Sequence, residues 1–299
     1  MLRLSACCVF VLGFLASAVA VAQDSGNVAS LANFLDKSTP AQNRLAIFDV
    51  WTKTALAGDA DAQYLVGTIY RRGDAIEPHV AERDATQARR YLSTAAAHGR
   101  LLAMAKMAEL ELTEDHPLEA MIWAQAYGAY RGWVGSGARE YGDHNDHQPT
   151  LYFEDLLRRV SKRLVQRFGE EKTQEVLAGL NQFVAAHDGD VRAGMAREGL
   201  SPQWAHGQAR FENAKDFRRV GVFLHDTISE WVLGFSADGS VASAEVLDAI
   251  PEFKNANGHH GIVMQYRTGA SRRDAPERYA LKTIDLKKAD WPLGPTVTR

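Results

Sequence analysis

The sequence predicts an α+β protein in which a domain of antiparallel helix pairs, an α-helical repeat solenoid, precedes a small β-rich domain. From Ala41 to about Tyr130, apolar residues recur at helical spacing, and the pattern returns after about 32 residues. Near the C-terminus the apolar residues alternate instead, on both sides of an Asp-Gly pair. The change of period indicates two structural units of different class.

The N-terminal segment is predicted to direct export. Arg3 supplies a positive charge, an apolar run extends from Leu4 to Ala22, and it ends in small residues, which is typical of a signal peptide cleaved after Ala22. The alternative is an uncleaved inner-membrane anchor formed by residues 4–22, since about 19 apolar residues can span a bilayer. A lipoprotein signal at Cys7 is disfavoured because no apolar stretch precedes it. We therefore expect a periplasmic or secreted protein.

Cysteine content and net charge argue against cysteine-based chemistry and against nucleic-acid binding. Cys7 and Cys8 both lie in the export segment, so the mature chain lacks disulfides, thiolate nucleophiles and cysteine ligands. Without Arg3, 33 Lys and Arg face 37 Asp and Glu, a net charge of −4, and no basic block occurs. We expect no nucleic-acid partner. No second apolar run approaches membrane-spanning length, so we expect no membrane span after cleavage.

The helical part, assigned to residues 41–190, contains two helices with the same pattern of small and aromatic residues. A cap helix, Ala41 to Ala57, comes first, with Ile47, Phe48, Trp51 and Ala55 on its apolar face. Small and aromatic residues then form a stripe that lets a neighbouring helix approach closely. In the first copy, Gly99 follows the stripe where a left-handed turn would end the helix. The stripe is Ala88, Tyr91, Leu92, Ala95 and Ala96 in the first copy, and Ala120, Trp123, Ala124, Tyr127 and Gly128 repeat it in the second.

These helices resemble a known repeat. Ala60 to Gly73 and Asp84 to Gly99 are similar to the two helices of a Sel-one-like repeat (SLR), a tetratricopeptide-like unit. The second copy departs from the pattern, with Ala108 in place of glycine and Glu111 in place of tyrosine. The resemblance covers residues 58–132. It implies a scaffold or adaptor whose partner is a protein or peptide.

The remaining chain is predicted to hold two further amphipathic helices within 151–187, a linker over 191–218, and the β-rich domain over 219–290. Asp238-Gly239 predicts a hairpin turn between strands Trp231–Phe235 and Val241–Leu247. Ile262–Arg267 and Tyr279–Leu286 are candidates for two more strands, and the first of them could equally end a short helix that begins near Phe253.

The hairpin segment also resembles a known domain. Val232 to Pro251 is similar to the C-terminal domain of TonB-type energy transducers, with a strand, an Asp-Gly turn, a second strand and a proline. Asn255, Asn257, Gly258 and Gly261 depart from the helix that the family has next. This resemblance implies an alternative function as a periplasmic energy-transduction component.

Catalytic and cofactor chemistry is not predicted. No catalytic or phosphate-binding motif occurs, and Asp143–His147 and His259-His260 match no metal-ligand spacing, so we expect solvated loops, no metal and no cofactor. We predict a non-enzymatic, exported scaffold that mediates protein–protein interaction in the bacterial envelope; an enzyme with an unrecognised site remains the less favoured alternative.

The candidate partner-binding residues lie on the inner helices of the two repeats. These helices, Asp61 to Arg72 and Arg100 to Leu112, carry polar side chains that could face a groove, and arginine is enriched at interface centres. The candidates are Gln63, Arg71, Arg72, Lys106 and Glu109, with Trp133 just past the second repeat.

Overall fold

The structure, a computed structural model, describes residues 28–73, 76, 80–136, 150–169, 172–197, 209–211, 226–252, 262–271 and 277–286. The predicted signal peptide and the clusters Asp143–His147 and His259-His260 lie outside these residues. The predicted fold class is confirmed: the described chain is α+β, with helices first and a small antiparallel sheet at the C-terminal end.

The helices succeed one another along the chain and pack as neighbours, which gives the predicted solenoid of antiparallel pairs. The described helices are α1 (28–35), α2 (Ala41–Leu56), α3 (Ala60–Arg72), α4 (Ala85–Ala97), α5 (Leu101–Thr113), α6 (Pro117–Ser136), α7 (Thr150–Phe168) and α8 (Thr173–Met195). The contacts run from α2 to α3, α4, α5 and α6 in order, and α7 and α8 both pack against α6.

The predicted small-residue stripe is buried at a close helix crossing. Ala95 has no exposed surface, and a Cβ added to Gly67 of α3 would lie 2.8 Å from the Cγ of Leu92 on α4. Gly99 follows α4 with a φ of +89°, which confirms the left-handed turn. Asp59 caps the N-terminus of α3 by accepting a 2.7 Å hydrogen bond from the backbone N–H of Ala62.

Helix α8 continues beyond the predicted end of the helical domain. Asp188 and Gly189 are weak helix formers, yet Val191 and Met195 are buried, so tertiary packing holds the last turns in place. The backbone of Gly194 contacts the turn between α4 and α5, and an added Cβ would lie 1.8 Å from the carbonyl oxygen of His98. The last helix therefore folds back onto the first repeat.

The C-terminal part of the described chain is built of short strands. They are β1 (Ala209–Phe211), β2 (Thr227–Phe235), β3 (Val241–Ile250), β4 (Ile262–Met264) and β5 (Arg278–Leu286). A three-stranded antiparallel sheet has the order β3-β2-β5, and a separate two-stranded ladder joins β1 to β4. The Asp238-Gly239 turn is confirmed: Gly239 has a φ of +84° and lies between β2 and β3. Strand β1 lies within the predicted linker, and β4 is shorter than expected.

The sheet shares its core with the helices. Strand β2 is buried along its whole length. Ile228, Val232 and Leu281 belong to the same apolar cluster as the helix stripes, whereas Trp231 and Leu233 belong to a second cluster on the opposite face of the sheet. One face of the sheet thus covers the helical part.

Among the described helices, none is both long enough and apolar enough to cross a membrane.

Candidate functional site: the inner face of the helix pairs

The polar residues predicted to face a groove lie on α3 and α5, and three of them, Arg71, Arg72 and Lys106, contact the sheet. The side chains of Gln63, Arg71, Lys106 and Glu109 are buried, each 7% exposed or less. Gln63 donates a 3.1 Å hydrogen bond to the carbonyl oxygen of Ala55. We call the surface that Arg71, Arg72 and Lys106 present to the sheet the inner face.

Lys106 is the centre of the inner face. Its Nζ lies 2.5 Å from Oε2 of Glu230 and 2.9 Å from Oδ2 of Asp248, and it donates a 2.8 Å hydrogen bond to the hydroxyl of Thr68. It also lies 4.2 Å from the centroid of the Tyr64 ring. Buried ions are rare unless they are paired, and this ammonium is paired with two carboxylates at once.

The two carboxylates face each other across neighbouring strands. Glu230 of β2 is directly opposite Asp248 of β3, an arrangement that is destabilising unless a cation lies between the two charges. A β-bulge places Leu247 as an extra residue in β3 next to this pair. Both Leu247 and Asp248 are buried against the helical part, so the sheet contributes adjacent apolar and acidic groups.

Two arginines at the end of α3 complete the contact. Arg71 forms a buried ion pair with Asp248. Arg72 donates a 2.6 Å hydrogen bond from Nη1 to the carbonyl oxygen of Leu247. Because the bulge removes Leu247 from the regular ladder, Arg72 provides a donor for its backbone carbonyl. Tyr64 adds a 2.6 Å hydrogen bond from its hydroxyl to Oε1 of Glu230.

The buried charges of this site shift the pKa values of Asp248 and Tyr64. Burial alone would raise the pKa of the Asp248 carboxyl, but the charges of Arg71, Lys106 and Arg72 outweigh it and hold that pKa below its ordinary value. Burial, followed by the charge of Glu230, raises the pKa of Tyr64 well above its ordinary range. Tyr64 therefore stays a neutral donor and Asp248 stays an anion.

A second polar cluster connects α5 to α7. Glu109 receives hydrogen bonds of 2.8 and 2.5 Å from the guanidinium of Arg159 and one of 3.0 Å from the hydroxyl of Tyr152. Arg159 also binds Asp155 on its own helix at 2.7 Å. Glu109 thus joins successive helix pairs within the chain.

These contacts replace the expected open groove with a closed one. Arg71, Arg72 and Lys106 engage the sheet of their own chain and Glu109 engages α7. Arg71, Lys106 and Glu109 are buried by these contacts, and Arg72 keeps 13% of its side chain exposed. Trp133 lies in α6, and its side chain falls outside the described residues.

The space beside Lys106 does not resemble a substrate pocket. It is bounded by Leu102, Ile228, Ile250 and the two carboxylates, and it has no room for a water molecule. Within the described part of the chain, no group of three or more His, Cys, Asp or Glu side chains is arranged to hold a metal ion. Both carboxylates of this site are paired with cations of the helices.

A separate groove of about 500 Å³ opens between α6, α7 and α8. Met121, Leu164 and Val176 contribute apolar lining, and Val165 and Leu177 remain 47% and 44% exposed. This groove is larger than the space beside Lys106, and it lies apart from the inner face.

The sequence pattern identified the helix residues of the inner-face contact but not the carboxylates of the strands. Glu230 and Asp248 were not singled out, although each stands inside an apolar strand, which is a signal for a buried and paired charge. Local patterns could not show that these carboxylates meet Lys106, which is 124 residues away from Glu230 in the chain.

Comparison of the chain with protein-family models, with curated proteins and with solved structures finds no match.

Proposed function

We propose that the protein is an exported helical-repeat scaffold or adaptor that mediates protein–protein interaction in the bacterial envelope. One observation supports this most directly. The inner face of the helix pairs holds a β-hairpin through ion pairs, a backbone carbonyl contact and apolar packing, which are the contacts that protein interfaces use. Export rests on the predicted signal peptide at residues 1–22.

The chemistry of the site favours recognition over catalysis. A catalytic group needs an approachable space with a substrate atom at hydrogen-bond distance. Lys106 and Asp248 instead have their charges matched to each other and to Arg71, and no water fits beside them. Such a constellation orients two structural elements relative to one another.

The test of this proposal is retention of a specific partner. The mature chain, immobilised through a C-terminal tag, is exposed to native envelope extract, and each retained protein is then purified and titrated against the mature chain. The proposal predicts saturable binding of at least one purified envelope protein. Absence of saturable binding to every retained protein would contradict a scaffold role.

The alternative function, an envelope energy-transduction component, is distinguished by the N-terminus. The signal-peptide prediction expects the exported protein to begin at Gln23. A protein that keeps Met1 and fractionates with the inner membrane would support the anchored alternative. N-terminal sequencing of both fractions separates the two outcomes.

A further inference from the structure

We propose that copies of this chain associate head to tail, with an exposed stripe of α2 in one copy lying in the groove between α6, α7 and α8 of the next copy. The stripe, here called the α2 stripe, consists of Leu45, Asp49, Thr52 and Leu56, and the groove is called the α7–α8 groove. This inference goes beyond the proposed scaffold function, because it concerns binding of the chain to itself and needs no other protein.

Exposed apolar side chains mark the two ends of the helix series. Among the described residues, the large apolar side chains that remain exposed all lie on α2, α7 or α8, and none lies on α3 to α6. The terminal units of a helical repeat array normally turn a polar face to the solvent, so apolar residues at both ends indicate contact with another molecule. These residues are Leu45, Val50, Leu56, Leu151, Val165, Phe168 and Leu177.

The α2 stripe has the spacing of a helix that docks through one side. Its members follow one another at intervals of four, three and four residues, which places them on the same side of the helix. Leu45 and Leu56, at its two ends, are 47% and 59% exposed. At 1.5 Å per residue they lie about 16 Å apart along the axis. The stripe therefore offers two apolar anchors with Asp49 between them.

The α7–α8 groove can receive one side of such a helix. Helices α7 and α8 both pack against α6, and residues of all three helices line the groove of about 500 Å³. Met121 and Val176 are buried in its lining, whereas Val165 on α7 and Leu177 on α8 stay exposed. With 19 residues, α7 extends over about 28 Å, which exceeds the length of the α2 stripe. Apolar grooves between helices bind amphipathic helices in this way.

Charge complementarity favours the α2 stripe as the occupant of the groove. Helix α7 carries five basic and two acidic residues. Arg158 and Lys162 are exposed beside Ser161, which lines the groove, and Arg158 also binds Asp155 of its own helix. Asp49 is exposed in the middle of the stripe. A carboxylate at this position is attracted to the basic edge of the groove, which orients the two copies.

A contact between two different surfaces does not close on itself in a dimer. A copy that places its α2 stripe in the groove of a neighbour still presents its own groove to a third copy. Association therefore continues to a ring or an open chain of copies. Because the contact is confined to one helix and one groove, it is small, and we expect a dissociation constant on the order of 10 µM.

The experiment is sedimentation velocity of the full mature chain over a range of concentrations. The stripe variant is Leu45→Gln with Leu56→Gln, and the groove variant is Val165→Gln with Leu177→Gln. Glutamine suits exposed helix positions, so both variants should keep the melting temperature of the unaltered protein. Each variant alone should self-associate at least about tenfold more weakly. An equimolar mixture should form dimers and nothing larger, because only one intact stripe and one intact groove remain in each pair.

Two further variants test the geometry and the charge. Val50 is 59% exposed on another side of α2, so Val50→Gln is the matched control and should leave self-association unchanged. Asp49→Lys should weaken self-association, and addition of Lys162→Glu to the same chain should restore it, because the two charges are then exchanged.

Sedimentation of the unaltered protein as a monomer at every concentration up to about 100 µM would overturn the inference. Unweakened self-association of the stripe variant or of the groove variant would overturn it as well, since the contact would then lie elsewhere. A mixture of the two variants that stays monomeric would exclude the head-to-tail arrangement. None of these outcomes affects the scaffold function, which is tested by retention of an envelope protein.

Discussion

Substitution of Lys106 by Met should strongly destabilise the fold. Methionine keeps the length and the apolar stem of the side chain, but it removes the ammonium that lies 2.5 Å from Glu230 and 2.9 Å from Asp248. At an effective dielectric constant of about 20, each ion pair at this separation is worth roughly 6 kcal/mol before the desolvation cost. Because the two carboxylates remain buried opposite each other, we expect a net loss of about 3–5 kcal/mol in the free energy of unfolding.

The assay for Lys106→Met is chemical denaturation followed by far-UV circular dichroism. Lys162→Met is the matched control, since Lys162 is exposed on α7, and its stability should change by less than about 0.5 kcal/mol. Addition of Glu230→Gln should restore part of the stability of Lys106→Met, because one buried charge is then absent. A Lys106→Met protein as stable as its control would refute the argument that this ammonium neutralises the carboxylates.

Four further outcomes are expected. Gly194→Ala should cost about 1–3 kcal/mol, because its Cβ would overlap the carbonyl oxygen that follows α4, whereas Gly189→Ala in the same helix meets no atom within 4 Å and should be neutral or slightly stabilising in thermal melts. Gly239→Val should destabilise the sheet, measured by hydrogen exchange of the β2 and β3 amides, because valine disfavours the φ of +84°. Ala95→Leu should lower the melting temperature through a loss of about 1–3 kcal/mol, since Ala95 is fully buried. The pKa of Asp248 in the folded protein lies below its ordinary value of 3.8. The contribution of this carboxylate to the free energy of unfolding is therefore fully present above pH 3.8 and is lost as the pH falls through the lowered pKa. In an acid titration of stability, Asp248→Asn should lessen this loss.

The helical half of the fold was accessible from sequence because its signals are local. Each stripe repeats within one or two helical turns, and Gly99 ends α4 where the pattern ends. The Asp238-Gly239 turn was predictable for the same reason. The continuation of α8 to Met195 was not, because Asp188 and Gly189 disfavour a helix and only packing against the first repeat compensates for them.

The closed inner face could not be predicted, because its partners are far apart in the chain. Arg71 and Asp248 are separated by 177 positions, and no local pattern relates them. The residue types on α3 and α5 did indicate a polar surface suited to contact with another polypeptide segment. What sequence reasoning could not supply was the occupant, which is a strand pair of the same molecule.

The most direct test of the account is a double-mutant cycle between Arg71 and Asp248. Arg71→Met, Asp248→Asn and the combined variant are compared with the unaltered mature chain by chemical denaturation. If the sheet rests on the inner face as described, the two residues interact directly, and the cycle should give a favourable coupling of at least about 1 kcal/mol. Effects that add to within about 0.3–0.5 kcal/mol would contradict it, because residues that do not touch behave in that way.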